Sequence, residues 1–235
     1  MHVARSSAII REIAATVGKL ALAAGVFVAI IAGYFFFISW QHGHSPLPGR
    51  IAAGGRCTVW LVGSSSLHRW DSAERDLAGW TVYNRGIEGA RLPELALRLG
   101  RTGGEPAPAA IVLYAGENDI ADGTDPAAVS RGLVGLAKAL RARAPDSMLL
   151  IVSMKPSPTR WLNRPAQLAV DAAMRRFAAS QPRTAFVPAG EQLLVGARPG
   201  NFYHEDGIHL VEEGYRRWSR PIATGLRQVH DKDCN

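Results

Sequence analysis

The sequence predicts an α/β fold: a three-layer α/β/α sandwich built on a parallel sheet of about five strands, preceded by one N-terminal transmembrane helix. Three observations carry this prediction. Short apolar runs recur between residues 57 and 187, helical patterns alternate with them, and a long uncharged segment precedes them all. Continuous apolar runs of this length suit strands buried on both faces, as in parallel sheets. Strands that alternate with helices imply right-handed crossovers and helices on both faces of the sheet.

The uncharged segment is Leu20–Trp40. At ~1.5 Å per residue it is about 31 Å long, the thickness of a bilayer's hydrocarbon. Arg5, Arg11 and Lys19 precede it, opposed only by Glu12, and no Lys or Arg follows until Arg50. Positive charge stays on the cytoplasmic side. Residues 1–19 are therefore expected in the cytoplasm, and residues 20–40 as a single-pass anchor in the inner (cell) membrane. The remainder is expected to be periplasmic or otherwise extracytoplasmic. The run is longer than the h-region of a cleaved signal peptide and no A-x-A site follows it, which favours a retained anchor. Tyr34 and Trp40 suit an interfacial end. Ala21, Gly25, Ala29 and Gly33 fall every four residues and form a candidate homodimer stripe, a spacing that also arises by chance in Ala-rich segments.

Residues 41–56 are rich in Gly and Pro and read as a linker to a domain over 57–235. That length supports one domain with a substantial core. The expected strands are Cys57–Gly63, Thr81–Asn84, Ala109–Ala115, Met148–Met154 and Thr184–Val187. Helices are expected over Leu92–Leu99, from Pro126 with Asp125 as N-cap, and over Asn163–Ser180. A last helix starts at Val211, and Pro221 is expected to interrupt or kink it. In a flavodoxin-like sheet of this kind the loops at the carboxyl ends of the strands surround one crevice. The crevice should then gather residues 63–66, 84–92, 116–123, 155–161 and 201–210.

The net charge of +7 comes from dispersed basic residues, with no basic run and no aromatic interleaving. No nucleic-acid partner is expected; a basic surface facing acidic headgroups or an anionic envelope polymer fits better. Cys57 and Cys234 lie near the two ends of the extracytoplasmic part and could form one disulfide in an oxidising compartment.

A serine hydroxyl reacts when a base removes its proton and donors stabilise the oxyanion. Three serines follow Gly63, so spacing alone leaves the choice among them open. His209 is the natural base, and Asp206, three residues earlier, can orient its ring. Gly89 can bring a backbone N–H close, and Asn118 offers a side-chain NH2. Each such donor is worth about 3 kcal/mol in the transition state.

Gly63-Ser64-Ser65, Gly89 within NRGIEG, Asn118 within GENDIADG and Asp206-x-x-His209 resemble, in order, the four blocks of the SGNH (GDSL-type) hydrolases. The resemblance spans roughly residues 57–220. It implies Ser65 as nucleophile, His209 as base and Asp206 as its partner. It also implies an oxyanion hole made by the Ser65 and Gly89 N–H groups and the Asn118 side chain. Ser64 replaces the family's usual aspartate, as in a GSSS-type variant, and Glu88 stands where a small residue is common. The implied protein is a membrane-anchored serine esterase without a cofactor, acting on an acylated small molecule, polysaccharide or lipid. The alternatives are an acyltransferase with the same triad, or a glycan-binding module of the same fold.

Several residues have plainer readings. Ser64 and Ser66 are expected to cap backbone donors, Asp119 to hold its loop, and His68 to lie exposed on a helix. His204, Asp206 and His209 lack the further ligands of a metal site. Lys155, Arg160 and Trp161 either contact an anionic or sugar-like substrate or form a Pro-rich turn over the sheet edge.

Overall fold

The computed structural model describes residues 2–49 and 55–228, with side chains for 16–37, 45–49 and 55–228. They fall into two compact units, divided after Ser45. The first is a single helix, α1 (His2–His44). It runs past both ends of the uncharged segment, and before it Arg11, Glu12, Ala14 and Ala15 are good helix formers. Thr16–Phe37 within it is long and apolar enough to cross a membrane, by length and composition. Leu22, Phe27, Phe35 and Phe36 are exposed along it.

The second unit is the α/β domain. β1 (Thr58–Gly63), β2 (Thr81–Gly86), β3 (Ala110–Tyr114), β4 (Met148–Val152) and β5 (Thr184–Val187) form one sheet in the order β2-β1-β3-β4-β5. All four pairings are parallel. β2 continues two residues past the expected Asn84, since Arg85 and Gly86 stay in register with Val62 and Gly63.

Alternation along the strands feeds two separate cores. Trp60, Val62, Ile111, Leu113, Leu149 and Ile151 point to one face. There they meet α4 (Leu92–Arg101), α6 (Pro126–Arg143) and α7 (Arg164–Ala179) through residues such as Leu95, Leu136 and Val170. Val59, Leu61, Val112, Tyr114, Leu150 and Val152 point to the other. This second core takes Leu67 from α2 (Ser65–His68), Ala73 from α3 (Ala73–Asp76), and Tyr215, Trp218 and Ile222 from α8 (Glu212–Arg227). A short helix, α5 (Glu117–Ala121), follows β3. Each fully buried large side chain contributes roughly 1.5–3 kcal/mol, so the two cores account for the sandwich.

Several expectations hold in detail and several need correction. The Asp125 carboxylate caps α6, accepting from the Ala127 and Ala128 N–H groups, with Pro126 in the first turn. Pro221 does not interrupt α8, which continues to Arg227. One backbone bond is lost there, but Tyr215 and Trp218 before the proline and Ile222 and Leu226 after it are buried against the sheet. The expected linker already packs by Leu47, which is buried. Its N–H donates to Thr102 Oγ1 at 2.9 Å, and the Pro48 carbonyl accepts from Arg85 Nε at 2.9 Å. A Leu flanked by prolines can enter a core without helix or strand, which periodicity does not reveal. No free cysteine occurs among the described residues; Cys234, the expected partner of Cys57, lies outside them.

Asp171 on α7 joins that helix to the end of β4, its Oδ1 accepting the Met154 N–H at 2.8 Å. Burial pushes its carboxyl up from 3.8 to about 6, against the Met154 N–H and the charges of Arg164 and Arg175. A carboxyl raised by folding holds its proton more tightly in the native state, so its ionisation costs stability. The cost is absent below about pH 4 and complete above about pH 6. Asp171→Asn keeps an oxygen for Met154, so it should raise the thermal midpoint at pH 7.5 by roughly 2–4 °C. The gain should vanish near pH 4. An equal change at both pH values would show that the carboxylate carries no such cost.

Candidate active site

The first loop begins where β1 meets β3. A Cβ at Gly63 would lie 1.8 Å from the Tyr114 carbonyl oxygen, so only glycine permits this approach. The Ser64 N–H then donates to that same carbonyl at 3.1 Å, and α2 starts at Ser65. Ser64 is the N-cap by position, but its hydroxyl makes no cap bond, contrary to expectation. Its carbonyl serves instead, accepting from the Leu67 and His68 N–H groups at 3.0 and 3.1 Å. Ser65, as the first helical residue, has an N–H with no intrahelical acceptor.

The loop before α8 brings the imidazole. Asp206 Oδ1 accepts from the Ile208 and His209 backbone N–H groups at 2.8 and 2.9 Å, which closes a tight turn. Its Oδ2 lies 2.6 Å from His209 Nδ1, and His209 Nε2 lies 2.9 Å from Ser65 Oγ. With Nδ1–H donating to the Asp206 carboxylate, Nε2 presents its lone pair to the hydroxyl, the tautomer that can receive a serine proton. Burial works to raise Asp206, but the His209 ring and the two backbone N–H groups outweigh it and hold the carboxyl well below the usual range. Ser65 thus shares one hydrogen-bonded chain with two residues that lie more than a hundred positions later.

The second and third loops lie beside it. Gly89 has φ +65°, a conformation that only glycine adopts readily. Asn118 Nδ2 donates to the Ala90 carbonyl at 3.0 Å, which fixes the third loop to the second. Asp119 does the same, accepting the Leu92 N–H at 3.2 Å on each oxygen.

The fourth loop differs from expectation. Lys155 does not border the crevice: it is 0% exposed, and its Nζ lies 2.8 Å from both oxygens of Glu117, itself 2% exposed. A four-carbon stem on a residue just past β4 turns inward to meet a carboxylate, and no sequence spacing announces that pairing. Arg160 Nη1 reaches Asn118 Oδ1 at 3.0 Å and Glu117 Oε1 at 3.2 Å. Trp161 is partly buried, with the Arg198 guanidinium 5.3 Å over its ring. Thr159 grips the turn of Asp206, its hydroxyl donating to the Asp206 carbonyl at 2.6 Å.

Sequence reasoning missed Arg69. It stands four residues after Ser65, which puts both on one side of the short helix. Arg69 Nε and Nη2 bind Glu88 at 2.9 and 2.6 Å, and Glu88 Oε1 lies 4.0 Å from His209 Nε2. Glu88 does charge the rim, yet Arg69 matches that charge on the spot. The pairing lowers the Glu88 pKa and raises that of Arg69. His68 is exposed, with Nδ1 3.3 Å from the Gly86 carbonyl. A cleft of about 240 Å³ opens beside His209, lined by His68, Arg69, Asp71, His204 and Leu210. No group of metal-binding side chains occurs among the described residues.

Residues 51–217 match the model of the GDSL-like lipase/acylhydrolase family. The chain belongs to that family. It is accordingly a serine hydrolase acting on esters. Solved structures similar to this GDSL-like chain include a protein from Streptococcus pneumonia, 20% identical with a TM-score of 0.68, over 88% of this chain and 99% of that one. A GDSL-like lipase from Bacteroides thetaiotaomicron is 22% identical with a TM-score of 0.60, over 74% and 89%. A Clostridium thermocellum family 3 carbohydrate esterase is 17% identical with a TM-score of 0.60, over 78% and 100%. At these identities the likeness is one of fold. No curated protein matches the chain.

The buried pair at the base of the site generates a prediction of its own. Lys155→Met leaves Glu117 dry with fewer partners, and should lower unfolding stability by about 3 kcal/mol in a denaturant titration. Adding Glu117→Gln should return part of that loss. A double variant that loses the sum of both single effects would show that the two charges are not coupled.

Proposed function

We propose that this GDSL-like hydrolase is a membrane-anchored, extracytoplasmic serine esterase with Ser65 as nucleophile. The observation that carries the reading is the chain of contacts from Ser65 Oγ to His209 Nε2 at 2.9 Å and from His209 Nδ1 to Asp206 Oδ2 at 2.6 Å. His209 takes the hydroxyl proton as Ser65 attacks the ester carbonyl, and Asp206 stabilises the imidazolium. The Ser65 and Gly89 N–H groups and the Asn118 amide face the developing oxyanion. Collapse expels the alcohol, which receives the proton from His209, and leaves an acyl group on Ser65. Water, activated by the same imidazole, then releases the acid.

The substrate class is O-acyl esters of the cell envelope, on carbohydrate or lipid. Esterases of carbohydrate share the fold, and α1 is suited to hold the domain at a membrane. The decisive experiment is fluorophosphonate labelling beside a hydrolysis panel of acetylated sugars and short- and long-chain esters. The parent chain should label once and release acid. Ser65→Ala should lose the label and at least about 10⁴-fold in turnover. A label that persists on Ser65→Ala would overturn the reading.

The anchor is tested separately. The full chain should stay with membranes through high salt and alkaline carbonate, and external protease should reach its domain in spheroplasts. A chain lacking residues 1–40 should be released. Extraction of the full chain by carbonate would remove the transmembrane proposal.

A further inference from the structure

Behind the Asn118 amide lies a charge cluster that the proton relay does not use. Glu117 Oε1 and Oε2 both contact the buried Lys155 ammonium at 2.8 Å. The Tyr114 hydroxyl donates to Oε2, and burial raises its pKa, so it remains a donor. Burial works to raise Glu117 as well, but Lys155 and Arg160 outweigh it and keep the carboxyl low. Arg160, with its side chain 18% exposed, completes the cluster at 3.2 Å from Oε1. One carboxylate faces two cations, and the guanidinium beside Asn118 is the cation left over.

The same Nη1 lies 3.0 Å from Asn118 Oδ1. Guanidinium has donors only, and the Ala90 carbonyl, 3.0 Å from Nδ2, accepts only. The amide therefore has one possible orientation. Its oxygen is held by Arg160, one Nδ2 hydrogen is spent on Ala90, and one hydrogen remains.

We propose that Arg160 is a positioning residue for the oxyanion hole: it locks the Asn118 amide so that the remaining hydrogen serves the oxyanion, and it polarises that amide with a surplus positive charge. This rests on the esterase reading above and adds a residue to its machinery. A cation on the amide oxygen draws electron density from nitrogen and strengthens the N–H as a donor. Because the buried Glu117 carboxylate, itself fixed by Lys155, holds the guanidinium at 3.2 Å, the charge is in place before the oxyanion forms. Contact between Arg160 and the substrate is the competing account, and it makes different kinetic demands.

The test is steady-state hydrolysis of p-nitrophenyl acetate by the full chain in detergent. Asn118→Ala should lower kcat about 10²–10³-fold. Arg160→Gln should lower kcat roughly 10-fold or more with KM within about twofold, the signature of an interaction made in the transition state. Arg160→Lys should recover a clear part of the loss, because it keeps the charge. In the Asn118→Ala background, Arg160→Gln should cost less than about twofold, since coupled residues are not additive. The same fold-loss in both backgrounds, or a raised KM with kcat unchanged, would overturn the proposal. Turnover that survives Ser65→Ala would remove the esterase reading itself. A dead Ser65→Ala chain with additive Arg160 losses would remove only the role given to Arg160.

Discussion

Both faces of the five-stranded sheet are dry, and that constraint decides where this chain can do chemistry. Val59, Leu61 and Val112 fill one core while Trp60, Val62 and Ile111 fill the other, so the central strands are given over to packing rather than to polar groups. Parallel pairing points every strand the same way and requires each to be reached through a crossover. The loops after β1, β2, β3 and β4 consequently open at one edge, and the loop before α8 joins them there. Residues as distant in sequence as Ser65 and His209 meet for that reason, and the hydrophobic burial that builds the sheet also assembles the crevice.

Loops alone would place side chains poorly, and these are braced against one another. Asn84 accepts the Gly86 N–H at 2.9 Å and donates to the Leu67 carbonyl at 2.6 Å, tying the second loop to α2. Asp119 and Asn118 tie the third loop to the second, Thr159 ties the fourth to the Asp206 turn, and the Tyr215 hydroxyl ties α8 to the Ser66 carbonyl at 2.9 Å. Trp70 stacks on Tyr215 at 5.9 Å and sits 5.4 Å from Trp218, which clamps the end of α2 to α8. Each neutral hydrogen bond is worth only about 0.5–1.5 kcal/mol net. Their larger effect is to hold Ser65, Asn118 and His209 to one geometry. The buried Glu117–Lys155 pair fits the same view, because desolvation offsets most of the attraction in such a pair. Its place beside Asn118 says more about orientation than about stability.

The sheet and its layers were legible from the sequence because strand burial on both faces leaves a periodic trace. The four motif blocks were legible because each combines distinctive residue types: a glycine with φ near +65° at Gly89, a hydroxyl at Ser65, a carboxylate three residues before an imidazole. Contacts that depend on long side chains left no such trace. Lys155 looked like a rim residue from its loop position, and only packing turns it inward to Glu117. Arg160 was chosen for the right neighbourhood, but its contacts with the Asn118 amide and Glu117 could not be read from the sequence. Leu47 entered the core from a segment with no period at all. Arg69 could have been found by its four-residue distance from Ser65, once α2 was recognised as helical.

The Arg69–Glu88 pair is the remaining oddity at the mouth of the site. With side chains 46% and 48% exposed, it is a surface ion pair, a class worth about 0–1 kcal/mol. Stability therefore does not explain its position. Glu88 lies 4.0 Å from His209 Nε2, and Arg69 Nη1 lies 3.2 Å from His209 Nδ1. Either group left unpaired would put an uncompensated charge beside the imidazole. Set side by side, the two charges offset each other, and the Asp206 carboxylate at 2.6 Å is the one in hydrogen-bond contact with the ring. The departure from a small residue at position 88 is thus compensated by the arginine one turn beyond Ser65, and the two belong together as one feature of the rim.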